Sequence, residues 1–269
     1  MKVATISLLV FYALANCGVP GIASNATQDA SLEGARATLL QLIRLSDKQA
    51  LQSEQARTVM TGETAELNIP SFGKLADTPD RMEMLERNRA IGRVQLFGEN
   101  NQVTDVYFYL RYDAVWKVSE VRLLSLTGII EDAYLALSAK PSLTDDEKND
   151  LANMKLVLAT DKALTAWFTA NLKSFERVYR QVKSYGLKMP NFIRTDDKQF
   201  PEVGTALKAL HLSGLSVTSN GNLEFVIGGV TDNLVGLIYS PSDSPPAMSP
   251  SSYIWVEKVA SKWYLFRTT

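Results

Sequence analysis

The sequence predicts an α+β protein in which helices lead into antiparallel meander sheet, and it predicts that order twice, in two similarly arranged halves. Residues 253–269 carry the clearest sheet signal. Two runs rich in aromatic and β-branched residues flank a polar break at 259–262, a break of hairpin length, so the chain ends in two antiparallel strands. Residues 107–124 echo that ending, with Tyr107, Phe108, Tyr109 and Tyr112 before Asp113 and Ala114, and Val115, Trp116 and Val118 after them. Between the two, Leu164, Trp167, Phe168, Leu172, Phe175, Val178, Tyr179, Val182 and Tyr185 recur at helical spacing and mark one long amphipathic helix. With 269 residues, 46% of them apolar, the chain can bury a substantial core. The expected division is a leader over residues 1–26, an α+β domain over 27–140, and a helical segment leading into a C-terminal antiparallel sheet over 141–269.

Residues 1–24 read as a secretory signal: Lys2, an apolar run over 3–15, then small residues with Gly18, Pro20 and Gly21. The run falls short of the ~20 residues that cross a bilayer, and no later run is longer, so no transmembrane segment is expected. Cleavage after Ala23 or Ala26 would remove Lys2 and no acid, so the 28 basic residues become 27 against 29 acidic, a net charge of −2. That balance argues against a nucleic-acid or anionic-membrane partner. The only cysteine, Cys17, follows Leu14, Ala15 and Asn16, which resemble a bacterial lipoprotein box except at Asn16. Cys17 is therefore either lipidated or, as we expect, discarded with the leader. Both readings leave the folded part without a disulfide, which favours a bacterial periplasmic or secreted protein over one secreted from an animal cell.

In the first half, Leu32, Ala35, Leu39, Leu42 and Ile43 place an amphipathic helix, with Ser46 and Asp47 as a break before a continuation to Val59 and Met60. Residues 64–69 suit a short strand ended by Pro70. Thr78, Pro79 and Asp80 then open a charged helix through about Arg89. Strands follow over 93–97, 103–112 and 115–124. Helix, short strand, helix and closing strands that end in Trp-Lys-Val-Ser-Glu-Val-Arg at 116–122 resemble the NTF2-like cone-shaped α+β fold, over residues 31–126 at most. That fold serves isomerases, dehydratases and non-catalytic binding or dimerisation modules, so the resemblance implies an architecture and no single function. No catalytic residue comes with it.

In the second half, residues 129–137 form a short apolar stretch ended by Lys140 and Pro141. Thr144 and Glu147 have capping-box spacing, with Asp145 and Asp146 near the positive end of the helix they open. Thr160 and Asp161 cap the long helix, and Gly186 stops it. After Pro190 the chain is irregular and polar to Lys198, and Pro201 sits in the first turn of a helix reaching about His211. Five strands are expected beyond it. The first two are joined by Ser219, Asn220, Gly221 and Asn222, a strong hairpin turn because Asn-Gly tolerates positive φ. The last two follow a segment, 240–250, that contains four prolines.

Chemistry has few places to sit. His211 is the only histidine, which excludes a His-rich zinc site, and its place at a helix end suits a structural role. Ser71 and Lys74 have the Ser-x-x-Lys spacing of penicillin-recognising enzymes, but Ser71 follows Pro70 instead of opening a helix. The pairs Asp145/Asp146 and Asp196/Asp197 lack the ligand spacing of a calcium loop, and the first is explained by capping. Gly228, Gly229 and Gly236 match no phosphate loop and suit a bend or bulge. Residues 240–250 are either a recognition loop or a connector stiffened by proline.

The expected function is that of an exported, non-enzymatic binding or interaction protein, without metal or cofactor, whose partner is an unknown protein or an apolar small ligand. Two alternatives stand beside it: an isomerase- or hydrolase-type enzyme with a cone-shaped pocket, an Asp or Glu base and a Tyr donor, and a periplasmic inhibitor or immunity-type protein. Alternation in the closing hairpin puts Trp263, Leu265 and Arg267 on one face of the last strand and Tyr264 and Phe266 on the other. With Ile254 and Val256 taken as core, Tyr253 and Trp255 remain as candidates for an exposed, partner-binding aromatic patch, and Trp263 is expected to be buried.

Overall fold

A computed structural model describes residues 30–47, 54–61, 73–98, 102–124, 127–186 and 192–269. The leader, Cys17, the proposed 64–69 strand and Ser71 lie outside them. The protein is an α+β fold with two antiparallel sheets.

Helix α1 (Leu32–Asp47) buries Ala35, Leu39, Leu42 and Ile43 on one stripe, as its spacing requires. Helix α2 (Glu54–Val59) ends beside Met60, which bridges Val118 in parallel. The first sheet runs β1 (Gly73–Leu75), β3 (Arg89–Gly98), β4 (Val103–Asp113), β5 (Val115–Arg122). Strand β2 (Arg81–Glu86) shares an edge of β3 with β1, pairing residues 89–93 while β1 takes 96–98. One face of this sheet packs Ala90, Val94, Phe108, Leu110, Trp116 and Val118 against α1. The approach is close at Gly92, where an added Cβ would stand 2.4 Å from Leu39.

The helix expected from Asp80 to about Arg89 is instead β2, a turn at Arg87 and Asn88, and the start of β3. Arg81, Met82, Glu83 and Met84 alternate polar and apolar, and pairing with β3 satisfies their backbone groups, so tertiary context overrides the local helix propensity of this charged stretch.

Helix α3 (Thr127–Ser138) precedes α4 (Asp145–Val157), whose capping box is complete: the Glu147 amide donates to the Thr144 hydroxyl, and the Thr144 amide donates to the Glu147 carboxylate. Helix α5 (Asp161–Ser184) is capped by Thr160, and Gly186 follows its end at φ +72°. Its buried stripe meets the second sheet, with Phe175 5.6 Å from Trp263 and 5.4 Å from Phe225 between ring centroids. Helix α6 (Pro201–Ala209) starts at its proline.

The second sheet has six strands: β6 (Phe192–Arg194), β7 (Gly214–Val217), β8 (Leu223–Val230), β9 (Asn233–Tyr239), β10 (Tyr253–Ala260) and β11 (Trp263–Thr268). Their order is β10-β11-β9-β8-β7-β6. Strand β6 is the unexpected sixth; it has three residues with only Ile193 buried, too short to show a period in the sequence. Gly228 lies at a bulge in the β8–β9 pairing, and Gly229 has φ +147° with Asn233 O where a Cβ would go, so the glycine pair serves a bend as expected. The closing hairpin is not laid down in chain order: β11 pairs with β9 and pushes β10 to the edge.

Candidate functional site

The outer face of the first sheet meets the edge of the second. Ile91, Tyr107 and Tyr109 pack there with Ile254 and Trp255 in a small core of their own. Behind it lies a buried ionic network centred on Asp161, the first residue of α5. Its carboxylate accepts from Arg93 Nη1 (2.9 Å), Tyr107 Oη (2.8 Å) and Arg267 Nε (2.7 Å), while its amide donates to Asp105 Oδ2 (2.6 Å). Arg93 also donates to Asp80 and to Glu257, and Glu257 receives Arg81 in turn.

Burial raises the cost of charge on Asp161, but Arg267 and Arg93 outweigh it and hold the carboxyl below the ordinary range. Asp105 goes the other way: burial and the neighbouring Asp161 charge push it up to about 6 despite Arg267 and Arg93. With three donors on its carboxylate and no solvent exposure, Asp161 has no room to offer a substrate. The network joins the two halves.

Trp255 belongs to this join, which corrects the expectation of an exposed patch. It is fully buried, stacked on Tyr107, with the Arg93 guanidinium 5.1 Å from its ring and its Nε1 donating to Glu257. The reason is a register shift between Tyr253 and Trp255 that turns Ile254 and Trp255 together toward the first sheet. Tyr253 is half-buried, its ring edge-on to Phe266 and its hydroxyl donating to Glu224, whose carboxyl is raised by burial against the opposing effect of that bond. The structure therefore does not bring Tyr253 and Trp255 together on an open face. Trp263 is buried as expected, and Tyr264 and Phe266 lie on the opposite side of β11, packed with Ile238 and Val256 and covered in part by Met248.

The other residues singled out by the sequence are dispersed. His211 Nδ1 is 2.8 Å from Asn149 Oδ1 at the end of α6. Lys74 pairs with Asp77, Asp145 with Lys148 and Asp146 with Lys208, while Asp196 pairs with Arg194 and Asp197 accepts from the Gln199 amide. Among the described residues no group of three or more His, Cys, Asp or Glu side chains is placed to hold a metal ion. None of the described helices is long and apolar enough to cross a membrane.

Among the described residues, a groove of about 450 Å³ between β2 and the proline segment has room for a ligand. Glu83, Met84, Leu85 and Glu86 form one wall, Pro245, Pro246, Ala247 and Met248 the other, and Val256 and Tyr264 the floor. The β2–β3 register shifts between Met84 and Glu86, a bulge that breaks strict alternation and lets four consecutive residues of β2 line one groove. Among the described residues β2 pairs with β3 alone, so its other edge has no strand partner among them. The opposite wall is held in place: the Ser240 amide donates to Lys262 O, the Ser244 amide to Ser240 Oγ, and Met248 packs into the cores on both sides of β10. The charges at the rim are paired, Arg81 with Glu83 and Glu257, Arg89 with Glu86, and Lys258 with Asp243. The proline segment was visible in the sequence as a candidate recognition loop; the β2 wall was not, because its residues read as helix.

No protein-family model matches this chain, and neither a curated protein nor a solved structure does.

Proposed function

We propose that this is an exported, non-enzymatic binding protein that receives an extended, apolar segment of a partner protein in the groove between β2 and residues 245–248. The observation that carries this reading is that β2, in the groove wall, has an edge with no strand partner among the described residues. An added strand would take main-chain hydrogen bonds from β2 and set alternate side chains against Met84 and Leu85. The proline wall suits the other side of such a segment, since Pro245 and Pro246 have no amide to compete for strand pairing. The volume lies within the roughly 300–1,000 Å³ usual for ligand sites. Where the partner is an enzyme, the same contact is that of an inhibitor or immunity-type protein.

A binding screen of immobilised extended heptapeptides tests the proposal. Peptides with alternating apolar residues should bind, and a hit should be lost on Met84→Asp and on methylation of the peptide's backbone amides. Binding that survives both changes, or a screen in which no peptide binds, overturns it.

A further inference from the structure

The outer face of the first sheet extends past the point where β10 covers it. There the strand register sets Arg89 of β3 directly opposite Arg111 of β4, and Arg111 directly opposite Lys117 of β5. All three project on the outer face. Arg89 and Arg111 stand two residues from Ile91 and Tyr109, which pack outward, and Lys117 lies between Trp116 and Val118, which point into the core beneath α1. Like charges directly opposite one another on neighbouring strands destabilise a sheet. The chain does little to relieve them. Arg89 reaches Glu86 and Arg111 reaches Asp113 only at 3.5 Å, between largely exposed side chains, and Lys117 makes no ion pair among the described residues.

A second, independent feature adjoins the row. Tyr109 pairs with Glu120 and Leu110 with Val118, which leaves Ser119 as a bulge in β5, its hydroxyl donating to Tyr109 O. Bulges re-aim side chains and occur often beside binding sites. This one opens a cavity of about 280 Å³ lined by Arg89, Tyr109, Leu110, Arg111, Ser119 and Glu120. Glu120, the one acid in that lining, is held by Arg122 at 2.5 Å. Tyr109 is fixed by donation to Ile254 O.

We propose that this cavity binds a soluble phosphate monoester, with its phosphate clamped between the guanidinium groups of Arg89 and Arg111 and Lys117 supplying a third positive charge. Guanidinium forks match phosphate oxygens in pairs, and a bound dianion converts the repulsion within the row into attraction. The volume is small for a ligand site, which favours a compact ester over a nucleotide. The site does not rest on the groove reading: Arg89 borders both, but Arg111 and Lys117 line no part of the groove.

Calorimetric titration of the mature chain with inorganic phosphate and with glycerol 3-phosphate tests the site. Saturable binding is expected, weakening as salt is added. Arg111→Gln should weaken it by about tenfold or more, the scale of a lost charge-assisted hydrogen bond, and Lys117→Gln should weaken it less. Arg180→Gln, at an exposed position on α5, should leave binding as it was. Melting curves show that the variants fold, and removal of a charge from the row should leave the midpoint level or raised. No saturable response to either probe overturns the proposal, as does undiminished binding by both Arg111→Gln and Lys117→Gln. Loss of phosphate binding with heptapeptide binding intact separates this site from the groove.

Discussion

The indole of Trp255 stacks on the phenol of Tyr107 across the join between the two sheets, with ring centroids 5.2 Å apart and planes 28° from parallel. Both side chains are fully buried, and each also touches the ionic network, Tyr107 through Asp161 and Trp255 through Glu257 and Arg93. The two halves are thus held by one continuous contact of rings and charges.

Trp255→Ala should therefore behave as a core truncation and cost roughly 3–5 kcal/mol in urea denaturation, with Trp263→Ala in the same range. The two tryptophans fill different cores, so the double variant should lose close to the sum. A loss below about 0.5 kcal/mol for Trp255→Ala would mean that the ring is exposed in solution.

The join also sets a pH dependence. Asp105 is pushed up to about 6 from its ordinary value near 3.8, chiefly by burial and by Asp161. The folded chain then binds that proton more tightly than the unfolded chain. Its contribution to stability is present in full below the ordinary value and is lost as pH rises toward about 6. Asp105→Asn imitates the protonated carboxyl and keeps an oxygen for the Asp161 amide. Relative to the parent chain it should gain up to ~3 kcal/mol between about pH 4 and pH 7.5, from roughly 1.4 kcal/mol per pKa unit. Asp161 has the opposite sign, its contribution being lost as pH falls, so urea titrations of the Asp105→Asn pair at both pH values isolate Asp105. A difference that does not change with pH would show that Asp105 titrates alike in both states.

His211 sits at φ +54° just past α6, where its carbonyl accepts from Asn153. Left-handed backbone costs most L-residues about 1–2 kcal/mol, and asparagine visits it readily. Histidine already bears that cost, so His211→Ala should lose only the contact with Asn149, about 1 kcal/mol, while His211→Asn should hold or raise stability, as read by thermal melting. Equal losses for the two would point to the imidazole contact with Asn149 instead of the backbone.

What the sequence determined by itself is the set of elements whose causes lie within a few residues. The Thr144–Glu147 capping box closes over one turn, the α5 stripe repeats every three or four residues, and the Asn220–Gly221 turn needs only a left-handed position, which Gly221 occupies at φ +81°. The tertiary structure decided everything that depends on which strand lies beside which. Residues 81–86 read as helix until β3 supplies a partner, and only then do they become a groove wall. Trp255 looked like a surface ring because the face that covers it comes from Ile91, Tyr107 and Tyr109, far away in the chain. Arg89, Arg111 and Lys117 are ordinary surface cations until register aligns them in one row. Local periodicity records what a segment buries; strand register and the packing of one half on the other are set by long-range contacts, and those leave no mark within any single segment.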